Sequence, residues 1–223
     1  MKIDRLKTFK QFVEREILPA TAELKGLTDE NCHHLQKLAY TNLVDSFDLT
    51  IDETILDNCQ ENLVVAEAFK ILTQQGTHPD LLQILLHSVN LQSGLETKLR
   101  EGLQYTVLGE RHSIKLKILF DVFKPKERYW NKPRVNIATG NICNRMKHQQ
   151  KLIPSSICGY ADWLYARRNA IVHGGGTMEF LENDKKQLNK LFHCTPAKAV
   201  WFKRASVKIA ATFYTSVIDV LVS

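Results

Sequence analysis

The chain has 223 residues, with 30 Lys and Arg against 24 Asp and Glu, and 44% of its residues are hydrophobic. This composition is that of an ordinary globular protein, and we expect a single domain over residues 1–223. The five cysteines are odd in number, scattered, and form no C-x-x-C pair, which favours a reducing cytoplasm over a disulfide framework. Since neither a signal-like apolar start nor a membrane-spanning run is found, the sequence predicts a cytoplasmic protein.

Charge is distributed unevenly along the chain. Residues 1–110 carry 10 basic and 17 acidic side chains, residues 111–151 carry 11 and 2, and residues 152–223 carry 9 and 5. A basic second half that follows an acidic first half indicates that the second half binds an anionic partner.

The first half of the chain has apolar residues at helical spacing. The pattern predicts helices over about 3–25, 28–48, 52–75, 79–89 and 95–107. In the second of these, the side chains expected to face inward are Leu35, Leu38, Ala39 and Leu43. Residues 113–123 fit either a strand or a helix, because alternation at the start gives way to helical spacing, and we interpret them as a helix.

A basic segment over about 124–136 contains two prolines and two adjacent aromatic residues, which predicts a loop or insertion. Its candidate RNA-binding residues are Lys124, Lys126, Arg128, Tyr129, Trp130, Lys132 and Arg134. In that interpretation the cations contact phosphates and an aromatic ring stacks on an unpaired base. The alternative, which the sequence favours equally, is a solvated loop anchored by its two aromatic side chains.

The rest of the second half is also predicted to be helical. Helices are expected over about 139–151, 156–173 and 178–192, and a long last helix is expected to start at Thr195-Pro196 and to run through Leu221. The helix over 156–173 ends at three glycines, Gly174 to Gly176, and it contains the strongest functional signal in the chain.

That signal is a group of polar residues in the last two turns of the 156–173 helix. Arg168 falls within an apolar stripe, where an arginine needs a partner or a ligand. Asn169 and His173 are four residues apart and share a face, with Asp162 two turns earlier on the same edge. A fixed cation beside an imidazole and an amide suits phosphodiester chemistry, because His moves a proton near neutral pH and Arg binds phosphate oxygens. Arg167 and Asp162 are further candidates for RNA binding.

The six residues Arg168-Asn169-Ala170-Ile171-Val172-His173 resemble the R-N-x-x-x-H signature of the HEPN superfamily. These are all-helical domains that include metal-independent RNA endonucleases of toxin and phage-defence systems. By its length and the position of the motif, the chain is most similar to the RiboL-PSP-HEPN and related groups. The resemblance is specific over about twenty residues around the motif.

The resemblance implies an all-α fold, a HEPN-like up-and-down helical bundle with additional helices. It further implies a homodimer whose motif helices build one shared cleft, and a cognate antitoxin or defence-system partner. The implied activity is cleavage of RNA by its own 2′-hydroxyl, with His173 as general base or acid and Arg168 stabilising the phosphorane. Asn169 would orient His173 or the phosphate, and no metal or cofactor would be needed.

Other interpretations remain open at this point. Taken singly, Arg168 is typical of a helix arginine paired to a carboxylate, and His173 of a residue that favours a helix C-terminus. The chain could also be a catalytically silent HEPN-like module that binds RNA or a protein, or a helical protein whose motif arises by chance.

Overall fold

The computed structural model describes residues 2–24, 29–67, 90–126, 129–143, 151–174 and 177–223. The predicted helix over 79–89, Thr28 and the end of the predicted 52–75 helix lie outside these ranges. The helices in the described ranges are α1 (Asp4–Phe12), α2 (Leu18–Glu23), α3 (Asp29–Asp57), α4 (Leu91–Thr106), α5 (His112–Phe123), α6 (Ile157–His173), α7 (Glu182–Phe192) and α8 (Ser206–Val222). Residues 62–67 are also helical.

The long helix α3 lies at the centre of the fold and packs against α1, α5, α6 and α8. One face of α3 places apolar side chains at spacings of three and four residues, which is the pattern of a helix that faces a core. The buried members of that face are Tyr40, Leu43, Val44, Phe47, Ile51 and Ile55. Two of the residues expected to face inward, Leu35 and Leu38, are instead 39% and 52% exposed, so that part of the prediction is wrong.

The sequence suggested two helices in the region that α3 spans, with a break between residues 48 and 52, and this prediction is also wrong. Asp48 and Asp52 are one helical turn apart, and both bind Lys115 of α5, at 2.7 Å from its Nζ. The hydroxyl of Thr50 donates to the carbonyl of Ser46, one helical turn earlier, so it is satisfied within the helix. The polar residues therefore form a seam that contacts α5, and they do not interrupt the helix.

The N-terminal helix is continuous through the position of Pro19. A π-helical turn over Val13–Ile17 separates α1 from α2, and Pro19 lies in the first turn of α2. A proline cannot donate an intrahelical hydrogen bond, and a π-turn before it lets the helix continue with its carbonyls displaced.

The start of the helix predicted over 139–151 is wrong, and residues 144–150 lie outside the described ranges. Residues 139–143 are not helical; they belong to a turn in which Val135 and Ile142 form an isolated antiparallel bridge. Gly140 has a φ of 82° and lies so close to the backbone of α8 that a Cβ would collide with the carbonyl of Ile209.

The segment before α8 is irregular where the sequence predicted helix. It runs back along the chain that follows α6, with a bridge between Glu179 and Ala199 and a 2.8 Å hydrogen bond from the Val200 amide to the Met178 carbonyl. Because this pairing uses the backbone groups that a helix would need, α7 starts at Glu182 and α8 at Ser206.

The ambiguous residues 113–123 are helical, within α5. Nothing in the described ranges forms a strand beyond the two isolated bridges, so the fold class is all-α, as predicted. Among the same residues, no helix combines the length and the apolar character needed to cross a bilayer.

Candidate functional site

The motif helix α6 begins and ends where the sequence predicted. The hydroxyl of Ser156 accepts a hydrogen bond from the Gly159 amide at 3.2 Å, which caps the first turn. At the other end the Gly174 amide donates to the carbonyl of Ala170 at 3.0 Å. A Cβ at position 174 would collide with that same carbonyl oxygen, so the residue that follows His173 must be a glycine for the helix to end this way.

Arg168 reaches across to α3 and pairs with Asp45. Its Nη2 donates to Asp45 Oδ2 at 3.0 Å, and its Nε lies 2.8 Å from Oδ1 without the alignment of a hydrogen bond. The pair is not deeply buried, with side-chain exposures of 22% for Arg168 and 46% for Asp45. The motif arginine therefore has a carboxylate partner and remains accessible to solvent.

Asn169 links the motif arginine to helix α7. Its Oδ1 accepts from Arg168 Nη1 at 3.2 Å, and its Nδ2 donates to Asp184 Oδ2 at 3.1 Å. The other oxygen of Asp184 accepts from Arg111 Nη2 at 3.1 Å. The amide is thereby fixed in orientation, and Arg168 is held from both sides.

Asp162 is not part of a surface group with Asn169, as the sequence suggested, but caps helix α5. The carboxylate is fully buried and accepts two 2.8 Å hydrogen bonds from Ser113, one from the amide and one from the hydroxyl. Its Oδ2 also lies 3.2 Å from Arg111 Nε. A carboxylate at a helix N-terminus binds amides that have no partner within the helix and is favoured by the helix dipole. RNA binding by Asp162 is thus contradicted by its burial.

The ionisation of Asp162 is set by opposing effects. Burial raises the pKa of the Asp162 carboxyl above its ordinary value, while the charge of Arg111 and the hydrogen bonds from Ser113 act to lower it. Arg111 therefore compensates two buried carboxylates at once, those of Asp162 and Asp184.

His173 lies exposed in the last turn of α6. Asn169 is four residues earlier and is half-buried, so the two side chains leave the same face of the helix. Val172 beside them is an apolar side chain that is 48% exposed. The three motif residues thus all reach the surface at one end of α6.

Arg167 has a different environment from Arg168. It is buried, with 5% exposure, and its guanidinium carbon lies 5.1 to 5.4 Å from the ring centroids of Tyr40, Trp163 and Phe202. Its Nη2 donates to the hydroxyl of Ser206 at 2.8 Å and to the carbonyl of Trp201. Its burial leaves it no surface for an RNA chain, so Arg167 is corrected to an interior residue.

The basic segment is a loop, and it is anchored by aromatic residues. Tyr129 is buried, stacks on Phe120 at 4.8 Å between ring centroids, and donates from its hydroxyl to Asp121. Trp130 is half-buried against Phe192, at 5.2 Å. The prediction that Tyr129 stacks on a base is wrong, because its ring already packs in the core.

The cations of the loop divide into two groups. Arg134 is buried and contacts the carbonyl of Cys143 with its Nε at 3.4 Å, so it does not face RNA as predicted. Lys126 and Lys132 are exposed and Lys124 is half-buried, which leaves these three as candidates. Arg128 lies outside the described residues.

A second buried charged group lies beneath the site, between α3 and α5. Lys115 is 1% exposed and binds Asp48 and Asp52, while Nε2 of His112 lies 3.0 Å from Asp48. Burial raises the pKa of Asp52 to about 6 despite the hydrogen bond from Lys115. The ring of His112 lies 4.6 Å from that of Tyr165, so the charged group contacts the motif helix directly.

Sequence reasoning missed three residues that hold the site together, Asp45, Arg111 and Asp184. Each is an ordinary charged residue in a helix or at a helix start, and the contacts that they make at the site span 15 to 123 positions. The signal that could have indicated such residues is a charged side chain in a helix that otherwise packs against the core, as Asp45 is in α3.

In the parts of the chain that the structure describes, no three His, Cys, Asp or Glu side chains come together as ligands for a metal ion. The chain matches no protein-family model, no curated protein and no solved structure.

Replacing Arg111 with Met is expected to destabilise the protein strongly. The change leaves Asp162 and Asp184 without a cation, and breaking a buried pair on one side costs about 3–5 kcal/mol. The loss of Arg111 also raises the pKa of Asp162 further, so the folded state keeps a proton that the unfolded state releases. The free energy of unfolding of the variant therefore falls as pH rises above the pKa that Asp162 has in the unfolded chain. Its deficit relative to the parent protein, measured by urea unfolding, should be larger at about pH 8 than at about pH 5.

Arg100→Met is the matched control, since Arg100 pairs with Glu96 at 3.0 Å on the surface of α4. An exposed pair is worth about 0–1 kcal/mol, so this variant should unfold within that range of the parent. Equal losses in the two variants would contradict the structural role of Arg111.

Proposed function

We propose that this chain is a HEPN-type, metal-independent endoribonuclease, of the kind found in toxin and phage-defence systems. The observation that supports this most is that Arg168, Asn169 and His173 reach the surface together at the end of α6, with Arg168 and Asn169 held by Asp45 and Asp184. The resemblance to the R-N-x-x-x-H signature assigns the same three residues.

In the proposed reaction the ribose 2′-hydroxyl attacks the adjacent phosphate. His173 removes the proton from that hydroxyl or donates one to the leaving 5′-oxygen, and its exposed position gives it access to a polymeric substrate. Arg168 binds the phosphate oxygens as negative charge develops. Asn169, whose amide is oriented by Asp184, positions the phosphate or the imidazole. The products are a 2′,3′-cyclic phosphate and a 5′-hydroxyl.

We further propose that two copies of the chain associate around this site. Leu38 and Leu49 lie 7 residues before and 4 residues after Asp45 on α3, so they share its face, and they are 52% and 60% exposed. Val172 on α6 adds a third exposed apolar side chain. Apolar side chains that surround an exposed ion pair are typical of a surface that a partner covers.

A second candidate function is favoured by the closed pairing of Arg168. An arginine whose guanidinium already binds a carboxylate and an amide is the expected state of a catalytically silent HEPN-like module that binds RNA or a protein. The two candidates differ in one respect: catalysis requires Arg168 to leave Asp45 for a phosphate, whereas the silent module requires the pair to stay closed.

The first test is cleavage of a mixed RNA pool in EDTA. His173→Ala and Arg168→Ala should each reduce the rate by about a hundredfold to ten-thousandfold while circular dichroism stays helical. Because both residues act in one transition state, the double variant should be hardly slower than either single variant. A folded His173→Ala protein that cuts at the parent rate would remove the catalytic proposal, and His193→Ala, an exposed histidine after α7, is the control.

The second test uses Asp45→Asn, which separates the two candidate functions. If Arg168 binds phosphate, Asp45 competes with RNA for the guanidinium, so its neutralisation should tighten RNA binding and steepen the salt dependence. The stability cost should be small, because half-exposed pairs contribute about 0–1 kcal/mol. Asp57→Asn, which removes one of the two carboxylate partners of Arg5, is the control. Unchanged RNA affinity in Asp45→Asn and in Arg168→Ala would favour the silent module.

The third test addresses the dimer. Leu49→Lys places a charge on the exposed apolar face beside Asp45 and should convert a dimer to a monomer in light scattering at micromolar concentration. Leu63→Lys, at a side chain that is 50% exposed on another segment, should leave the mass unchanged. A parent protein that is monomeric under these conditions would exclude the shared cleft.

A further inference from the structure

A cavity of about 520 Å³ lies on the opposite side of the motif helix from Asn169, between α6, the start of α8 and the irregular segment before α8. Its walls are largely apolar and include the rings of Tyr160, Trp163 and Trp201. Of the described residues that line it, the charged ones are Arg167 and Lys203. Its volume lies in the range of pockets that bind small molecules, which is about 300–1,000 Å³.

Arg167 is a buried cation that has no anionic partner among the described residues. It is 5% exposed, its Nε makes no hydrogen bond, and no carboxylate of the described residues lies within ion-pair distance. Buried charges are otherwise paired or coordinated, because an uncompensated charge in a poorly solvated place is costly. The three aromatic rings around the guanidinium compensate part of its charge, while its Nε–H has no acceptor among the described residues.

The residues that line the cavity also indicate which chemical group would carry the acidic group of a ligand that binds Arg167. Trp201 is 78% exposed, although its main-chain carbonyl is fixed by Arg167, so its indole stands at the mouth of the cavity. A flat apolar ring between Trp163 and Trp201 would cover that exposed indole. Lys203, exposed at the same mouth, would add a second positive charge.

We propose that this cavity binds a small aromatic anion, a planar ring that carries a carboxylate, sulfonate or phosphate. The acidic group binds Arg167 and Lys203, and the ring packs against Trp163 and Trp201. This site is separate from Arg168 and His173, and the proposal does not depend on the ribonuclease activity.

The test is calorimetric titration of the full chain with naphthoate and with its neutral amide, naphthamide, which has nearly the same shape. Naphthoate should bind and the amide should bind at least about tenfold more weakly, since a charge-assisted hydrogen bond is lost. Arg167→Gln should weaken naphthoate binding by about tenfold to a hundredfold and bring the two ligands close to equal affinity. Inorganic phosphate, which lacks a ring, should bind more weakly than naphthoate.

Arg167→Gln also removes packing against three rings and could lower stability, so a second variant is needed. Trp201→Ala changes an exposed side chain and should weaken naphthoate while the melting temperature stays near the parent value. Tyr105→Ala is the matched control, because Tyr105 is 74% exposed on α4, outside the cavity. The proposal is overturned if naphthoate does not bind at millimolar concentration, if the amide binds equally well, or if Trp201→Ala leaves the affinity unchanged.

RNA cleavage is measured separately on the same samples. A parent protein that cleaves RNA but does not bind naphthoate would reject the cavity proposal alone, and a parent protein that binds naphthoate but does not cleave RNA would reject only the ribonuclease proposal.

Discussion

The geometry of the motif end of α6 depends on one buried carboxylate, that of Asp162. Helix α5 begins at His112 without a capping side chain of its own, and Asp162 accepts hydrogen bonds from the amide and hydroxyl of Ser113 in its first turn. An unsatisfied amide in this buried place would cost about 1–3 kcal/mol, so the contact fixes where α5 meets α6. Arg111, the residue before α5, is placed by the same contact and lies between Asp162 and Asp184.

From Arg111 the chain of contacts continues to the motif. Asp184 binds Asn169, Asn169 binds Arg168, and Arg168 binds Asp45 on the central helix. Four helices or helix starts are thereby connected through alternating charges and one amide. The two ends of the series differ in exposure, since Asp162 is fully buried whereas Arg168 and Asp45 are 22% and 46% exposed. The contact at the solvent end is therefore the weaker one, and the buried end fixes the position of the motif.

The motif helix could be predicted from sequence because its signals are local. Ser156 and Gly174 lie at its two ends, and each acts on amides or carbonyls within one turn. The single long α3 could not be predicted, because what keeps its polar residues helical is Lys115, which lies 67 positions from Asp48. The late start of α8 has the same origin, since residues 178–180 pair with the segment that local propensity would make helical.

The basic loop illustrates a different limit of sequence reasoning. Its composition equally favoured an RNA contact and an anchored loop, and Tyr129 is in the core while Lys126 and Lys132 are exposed. Alternation of charge and aromatic character does not reveal which side chains face inward in a segment without regular periodicity. The partner that decides the position of Tyr129 is Asp121 together with the ring of Phe120, both from the preceding helix.

Arg167 and Arg168 show how strongly one step along a helix changes the chemistry of a side chain. Adjacent residues point about 100° apart, so Arg167 enters an aromatic interior and Arg168 meets a carboxylate at the surface. A half-exposed ion pair contributes about 0–1 kcal/mol, whereas a hydrogen bond to a charged group contributes about 1.5–3 kcal/mol when desolvated. In the proposed covered cleft, a phosphate bound to Arg168 would therefore displace Asp45 with a net gain. The pairing with Asp45 holds the guanidinium in place, and such prior ordering would reduce the conformational entropy lost if the proposed anion binds.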